Sequence, residues 1–477
     1  MANRLTQDRD YFRDIIRIGL PIVLQNLIFN SLALVDNVLI GGLGDAAIAA
    51  LGVANRLGFV FSLLLFGIHS GANMFGAQFW GKRDLAGVRR VLGIALAGGM
   101  AASVVFLLIA QTMPELFIRF FIRDEEVVTQ GAAFLRIVSW SYLFQSVTSA
   151  FAIQSRGVGR TKPPLVASAT ALCLNTLLGW MLIYGKFGLP ALGIRGAAVG
   201  LLVSRLAEML LLIGIIYGSR FELAIKPRDL AGIDRSFLVR FIRPVLPVIA
   251  NEMLWAVGVS MYMFFYGKMG RSATATSQIM EVVNGIFFAA FIGFGNACGT
   301  LVGNSIGAGR DEQARRFANR SVGYGAAGAV VMGMMLVLAA PLFLGFFHVS
   351  AEIAQSARMA SIVYAVYMPV RVVNLVMIVG VCRSGGDTVF AALIDILSPW
   401  LVGIPLAALG VYVLHWPFHL VLALVFVEEA VKAIFSLWRL WTGKWLHNLV
   451  RDEPRKEQAA SAQDEDIAAR DGGIAAP

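Results

Sequence analysis

A carboxylate inside a stretch apolar enough to cross a membrane is the first place to look for chemistry in this sequence. Asp36 lies in the run 15–40, about four residues before its far end. At about 100° per residue, Gln25, Asp36, Asn26, Asn37 and Asn30 fall near 0°, 20°, 100°, 120° and 140°. They make one polar face on an otherwise apolar helix. Such a face belongs against an interior cavity rather than lipid, and a carboxylate deprived of hydration can serve as a protonation switch. A structural Asp satisfied near the water interface is the alternative.

A second acid, Glu252, lies in the run 241–266, five residues after Pro247. On the same helical count, Met263, Tyr266, Trp255, Tyr262 and Asn251 all fall within roughly 100° of Glu252. An acid within an aromatic arc suits an organic cation: the carboxylate neutralises charge and each ring adds roughly 0.5–2 kcal/mol of cation–π attraction. Ordinary packing with an interfacial aromatic belt would look the same. Gln278, Glu281 and Asn284 share the run 273–305, and Asp395 lies near Pro399 and Pro405; Glu281 and Asp395 are further candidates for a central space. Glu428 and Lys432, spaced i,i+4, read as a neutralising pair. Arg371, inside the run 353–381, needs a carboxylate, for which Glu252 and Asp395 are candidates.

Soluble chemistry is absent. The five histidines form no HExxH, and Cys173, Cys298 and Cys382 form no CxxC, so no metal site is expected and the cysteines read as packing residues. Gly67-Ile-His-Ser-Gly71 has the look of a nucleophile turn but sits on a helical pattern with no matched base. With no phosphate-cradling loop either, the chain is not expected to be an enzyme or to bind ATP, and any pumping must draw on an ion gradient.

The elements that must position these residues follow from composition. Of 477 residues, 58% are hydrophobic and 15% charged, and mean hydropathy is +0.72. A soluble domain carries roughly 25% charge, so a polytopic membrane protein is what remains. Twelve apolar runs can span a bilayer: 15–40, 46–78, 91–113, 127–153, 164–185, 191–217, 241–266, 273–305, 322–346, 353–381, 388–413 and 417–440. Lys and Arg crowd alternate loops: Lys82, Arg83, Arg89 and Arg90; Arg156, Arg160 and Lys162; Arg220 to Arg243; Arg310 to Arg320. The positive-inside rule then puts both termini in the cytoplasm and accounts for the net charge of +10 without a nucleic-acid partner. The first run lacks a small-residue cleavage site and reads as a retained helix. The expected division is a cytoplasmic N-terminal segment 1–14, a first lobe 15–217, a basic linker 218–240, a second lobe 241–445 and a disordered cytoplasmic tail 446–477.

The two lobes repeat. Shifting by 226 lays Leu20-Pro21 on Leu246-Pro247, Gly41 and Gly44 on Gly267 and Gly270, Gly67 on Gly293, Gly81 on Gly307 and Arg89-Arg90 on Arg315-Arg316. At 227, Arg156, Gly159 and Thr161 fall on Arg383, Gly386 and Thr388. Each half has an even number of spans, so the repeat is parallel: an all-α polytopic membrane protein with 12 transmembrane helices as two six-helix repeats (6+6) around a central cavity. Rocking such halves gives alternating access, the architecture of a transporter. In this register Asn26 aligns with Glu252 and Asp36 with Tyr262, so the lobes are not equivalent.

Gly19-Leu-Pro21 before a polar-studded helix, Val35-Asp-Asn-Val-Leu-Ile-Gly-Gly-Leu-Gly44, Gly81 with its basic loop, Leu246-Pro-Val-Ile-Ala-Asn-Glu-Met-Leu-Trp255 and Arg383-Ser-Gly-Gly-Asp-Thr388 together resemble the MATE (multidrug and toxic compound extrusion) family, within the multidrug/oligosaccharidyl-lipid/polysaccharide flippase superfamily, over about 12–445. The resemblance implies a cation-coupled antiporter of the bacterial inner membrane that exports amphipathic, often cationic, organic compounds. It ties Asp36, with Asn175 on the fifth span, to cation coupling. This chain departs from the sodium-type pattern at Gly179 and Leu201, where oxygen ligands are missing, and no acid lies within 353–381. A proton needs one titrating carboxylate, so protons are favoured over sodium. Gln25, Asn26, Asn30, Glu252, Trp255, Tyr262, Tyr266, Gln278, Glu281 and Asp395 are the candidates for substrate contact. The expected partners are the lipid bilayer and a small organic substrate, with no cofactor and a monomeric state. A flippase for a lipid or lipid-linked saccharide is the alternative function.

Overall fold

The computed structural model describes residues 2–226, 229, 234–346 and 350–451. The rest of the linker, positions 347–349 and the tail from 452 lie outside the described residues. The first half contains α1 (Ala2–Gly41), α2 (Asp45–Gly81), α3 (Leu85–Thr112), α4 (Pro114–Phe121), α5 (Glu125–Val138), α6 (Ser141–Gly157), α7 (Lys162–Tyr184) and α8 (Ile194–Gly218). The second contains α9 (Arg235–Lys268), α10 (Arg271–Gly307), α11 (Asp311–Phe346), α12 (Ala351–Leu375), α13 (Thr388–Ser398), α14 (Ile404–Ala408), α15 (Phe418–Val425) and α16 (Val427–Thr442). Among the described residues, ten helical runs are long and apolar enough to cross a bilayer unbroken. The fourth and twelfth spans are each broken, at Ser139–Trp140 between α5 and α6 and at Phe426 between α15 and α16. The membrane setting shows in an inverted surface: Leu338, Leu401, Val413 and Ile434 are exposed while Gln78, Asn175, Glu208 and Lys432 are buried.

Local chemistry sets the helix boundaries. Asp84, Asp124 and Asp234 cap α3, α5 and α9 by accepting from Gly87 N, Glu126 N and Phe237 N. At Asp234 these backbone and Ser236 hydrogen bonds hold the exposed carboxyl below its usual range. Prolines act unequally. Pro21, Pro247 and Pro369 sit inside continuous helices. Pro399 opens a π-helical stretch to Gly403, and Pro405 lies between it and a second, Leu409–Val413, so the eleventh span is rewound where its prolines lie.

Two boundaries differ from expectation. The N-terminal segment is a continuation of α1, and Tyr11 is buried with its hydroxyl 2.7 Å from Ser321 Oγ in the other half. Residues 446–451, expected in a disordered tail, are bound across the junction of the halves. His447 N donates to Gly385 O (2.7 Å), Leu449 N to Gln78 Oε1 (2.8 Å) and Lys82 Nζ to Val450 O (3.1 Å), while Val450 packs among Phe75, Phe79, Phe237 and Phe241. The tail as a whole is polar, but this stretch holds Leu446, Leu449 and Val450, and composition does not reveal that its backbone has partners.

That junction is built by the repeat acting on itself. A Cβ on Gly81 would collide with Asn304 O, and one on Gly307 with Gln78 O. Gly81 corresponds to Gly307 and Gln78 to Asn304, so each half offers a glycine to the other's backbone. The amides cross too: Gln78 Nε2 donates to Ser384 O (2.9 Å), and Asn304, its nitrogen turned to the seam, donates to Gly157 O (3.1 Å) and Ala77 O (2.7 Å). Gly157 and Ser384 are themselves related by the 227 register. A second pair of crossings repeats the pattern: Gly67 meets Ile249, and Gly293 meets Val23.

All of these contacts lie toward the end that carries the basic loops. On the face by which Gly293 meets α1, Val282 and Ile286 are more than half exposed and Gly285 has nothing near it. The halves are therefore closed at the basic end and parted at the other. Replacing Gly307 by Val is expected to destabilise the closed seam by roughly 1–3 kcal/mol, as overpacking against fixed backbone does. Thermal unfolding of the purified protein checks this, and an unchanged melting temperature would show that the crossing tolerates a side chain.

Candidate functional site

The first half encloses a cavity of about 270 Å³ among α1, α2, α6, α7 and α8, with Ile292 and Asn296 of α10 completing its wall. Its polar side is a chain of hydrogen bonds. Arg156 Nη2 donates to Gln25 Oε1 (2.9 Å), and Gln25 Nε2 lies 3.3 Å from Ser168 Oγ. Ser168 Oγ donates to Glu208 Oε1 (2.7 Å), and Arg205 Nη1 to Glu208 Oε2 (2.8 Å). Leu32, Leu65, Phe66 and Ala152 make the apolar side. A concave, mostly apolar site with a few convergent polar groups is the usual form of a small-molecule pocket.

Further along α1, Asp36 Oδ1 accepts from Asn175 Nδ2 at 2.7 Å, because α1 packs against α7. The first-half pair from the sequence is thus together. Gly179 and Leu201 bring no side-chain oxygen: Gly179 lies against Leu39 and the backbone of Gly200. Gln25 and Asn26 line the cavity. Asn30, Gln278 and Glu281 are exposed, and the last two continue, turn by turn, the α10 face that carries Ile292.

The second half uses its acids differently. Glu252 does not lie open within an aromatic arc: its carboxylate is 2.6 Å from Arg383 Nη2, and Arg383 also reaches Ser70 Oγ (3.4 Å) and the Phe66 ring (5.9 Å) of the first half. Tyr262 donates to Glu428, Tyr266 is buried against Phe418, and Trp255 is exposed. Asp395 accepts from Asn251 (3.0 Å) and from Lys432 (2.9 Å). Lys432 bonds Asp395 and Glu429 rather than forming the expected pair with Glu428. The carboxylate beside Arg371 is Glu429 at 3.8 Å, neither Glu252 nor Asp395, and the rings of Phe288, Tyr364 and Phe426 surround its guanidinium. Helical angles give the face of a residue but not the helix that meets it.

Sequence reasoning misses Arg156, Ser168, Arg205 and Glu208 as site residues. Arg156 counts there with the basic loops, yet it is buried at the cavity floor. Arg205 and Glu208 carry a usable signal, two charges three apart inside an apolar run. The 227 register carries another: it lays Arg156 on Arg383, Ser168 on Asp395 and Arg205 on Lys432. The bonds obey it, since Gln25 meets Ser168 as Asn251 meets Asp395.

The family model MatE matches residues 21–181 and again 247–409, two segments whose first residues stand in the register of the internal repeat. A probable multidrug resistance protein NorM from Thermotoga maritima is 22% identical over 452 residues, covering 94% of this chain and 96% of that protein. A NorM from Rhodopseudomonas palustris is 28% identical, covering 91% and 90%. Among solved structures, a MOP superfamily transporter from Pyrococcus furiosus shares the fold with a TM-score of 0.82 at 18% identity, covering 90% of this chain and 96% of that one. With more than half of its length matched, in one segment of each half, this chain belongs to the MatE family of membrane transporters.

Proposed function

We propose that the protein is a proton-coupled antiporter that exports amphipathic organic compounds by alternating access. The observation that carries the reading is the Asp36–Asn175 bond beside a first-half cavity, in a molecule closed at one end and parted at the other. Protonation of Asp36 weakens its bond with Asn175 on α7, the helix that also brings Ser168 to the cavity, so a proton on this carboxyl and a substrate in the cavity influence each other through the same helices. Protons are favoured over sodium because the positions of Gly179 and Leu201 supply no further oxygen ligands. The cationic substrate class loses its support, since Glu252 is engaged by Arg383. The site is read in a bacterial inner membrane, in a monomer, with the basic end and both termini in the cytoplasm; the parted end is then the outer one.

Asp36→Asn should abolish export driven by an imposed proton gradient in proteoliposomes while the protein still purifies folded. Gradient-driven export retained in that variant would remove Asp36 from the coupling step, and export driven by sodium alone would change the ion. Glu252→Gln should lower stability, because a buried arginine stripped of its carboxylate costs roughly 3–5 kcal/mol. Unchanged thermal stability, with loss confined to cationic substrates, would instead return Glu252 to direct contact with the cargo. In a Cys173→Ser background, Arg310→Cys should react with an impermeant maleimide only in inverted vesicles and Arg123→Cys only in intact cells. The opposite pattern would invert the orientation.

A further inference from the structure

Each half contains the same arginine, and only one of them has an acid. In the second half Arg383 is held by Glu252 at 2.6 Å. In the first half the position of Arg383 is taken by Arg156 and the position of Glu252 by Asn26. Arg156 is 9% exposed, its one hydrogen-bonded side-chain partner among the described residues is the neutral Gln25, and its Nε has none. Glu208 does not supply the missing charge, because its two oxygens are taken by Ser168 and Arg205. Other Arg and Lys side chains buried or half-buried within the spans, Arg205, Arg371, Arg383, Lys432 and Arg439, are each paired with a carboxylate.

The groups around Arg156 point to what is missing. Asn26 Nδ2 also lacks a partner and lines the same cavity next to Gln25, the residue that holds Arg156; Thr148, whose Oγ1 is likewise unpartnered, lines the cavity two turns earlier on α6. Two unsatisfied N–H groups, one of them on a cation, suit an anionic oxygen group. The apolar wall beside them suits a hydrocarbon or aromatic body. Burying a cation without a counter-charge is strongly unfavourable, so a ligand that brings one is bound with a gain no neutral or cationic ligand can match. We infer that the first-half cavity is a receptor for amphipathic organic carboxylates, with Arg156 and Asn26 binding the carboxylate that Glu252 supplies internally in the second half. The inference rests on the transporter reading and deepens it by naming the substrate class of its cavity.

The test is equilibrium binding without any gradient, so that its failure is separate from failure of export. Three dansyl probes share one fluorescent body: dansylglycine is a carboxylate, dansylglycinamide is neutral and dansylcadaverine is a cation. With wild-type protein in phosphatidylcholine nanodiscs, dansylglycine should bind about tenfold or more tighter than the other two, the scale of one charge-assisted hydrogen bond. Arg156→Gln should erase that preference and leave dansylglycinamide unchanged, while Arg156→Lys keeps most of it. Asn26→Glu, which installs the second half's solution, should also erase it in a protein of undiminished thermal stability. Equal binding of the three probes by wild type, tighter binding of dansylcadaverine, or equal losses for acid and amide in Arg156→Gln would overturn the assignment. Displacement of dansylglycine when phosphatidylglycerol is added to the nanodiscs would also overturn it, by giving the cavity to an anionic lipid headgroup.

Discussion

The junction at Gly81 and Gly307 is the constraint on which the rest of the molecule depends. Two helices can bring backbone to backbone only where neither carries a side chain, and here the absence is reciprocal: each glycine faces the carbonyl about one turn before the other half's glycine. Gln78 and Asn304 then use their amides to satisfy carbonyls across the seam. Since the contacts are related by the internal repeat, the halves meet about a pseudo-twofold axis and part symmetrically away from it. The cavity in the first half and the charged cluster in the second are both hung from this crossing, through α1, α2, α9 and α10.

Gln78 has a second task that ties in the end of the chain. Its Nε2 also reaches His447 O (3.1 Å), and its Oε1 accepts from Leu449 N. The segment is thereby bound to both halves at the closed end, with Trp445 fully buried behind it. Any conformation that parts the basic end must release these bonds together with the Thr300–Arg156 O bond and the Arg383–Ser70 contact. The closed end is therefore secured by many modest polar contacts of about 0.5–1.5 kcal/mol each, a set that can exchange for water one at a time.

The helical architecture is legible in the sequence because it depends on periodic, local quantities. Apolar length marks the spans, Lys and Arg mark the alternation of loops, and matched glycines and prolines mark the repeat. The Asp36–Asn175 contact is reached through resemblance. Pairings across helices are not legible. The carboxylates expected for Arg371 and Lys432 are wrong in the same way: Glu429, their common neighbour, is distinguished from Glu428 only by which side of the twelfth span meets α12. Residues 446–451 are read together with the polar tail that follows them, although Leu446, Leu449 and Val450 are apolar, and the bonds of their backbone to Gln78 and Gly385 leave no mark in composition. Arg156 looks like a loop charge because it lies on the last turn of α6, and only the fold shows that turn buried.

The internal repeat explains why the two halves should differ in what they do. Both inherit the same polar positions, and a membrane interior demands that each base be neutralised. The second half meets that demand from within: Glu252 holds Arg383, and Asp395 with Glu429 holds Lys432. Its core is then a closed set of ion pairs with little reason to admit a ligand. The first half has Asn26 and Ser168 at the positions of those acids and recovers only one of them, through Glu208. A polar cluster that is satisfied becomes structure, and the same cluster with one acid removed becomes a site. Asp36 lies further along α1 beside Asn175, outside the hydrogen-bonded chain that joins Arg205 and Glu208. One half thus holds both a cavity and a carboxylate that takes no part in its ion pair.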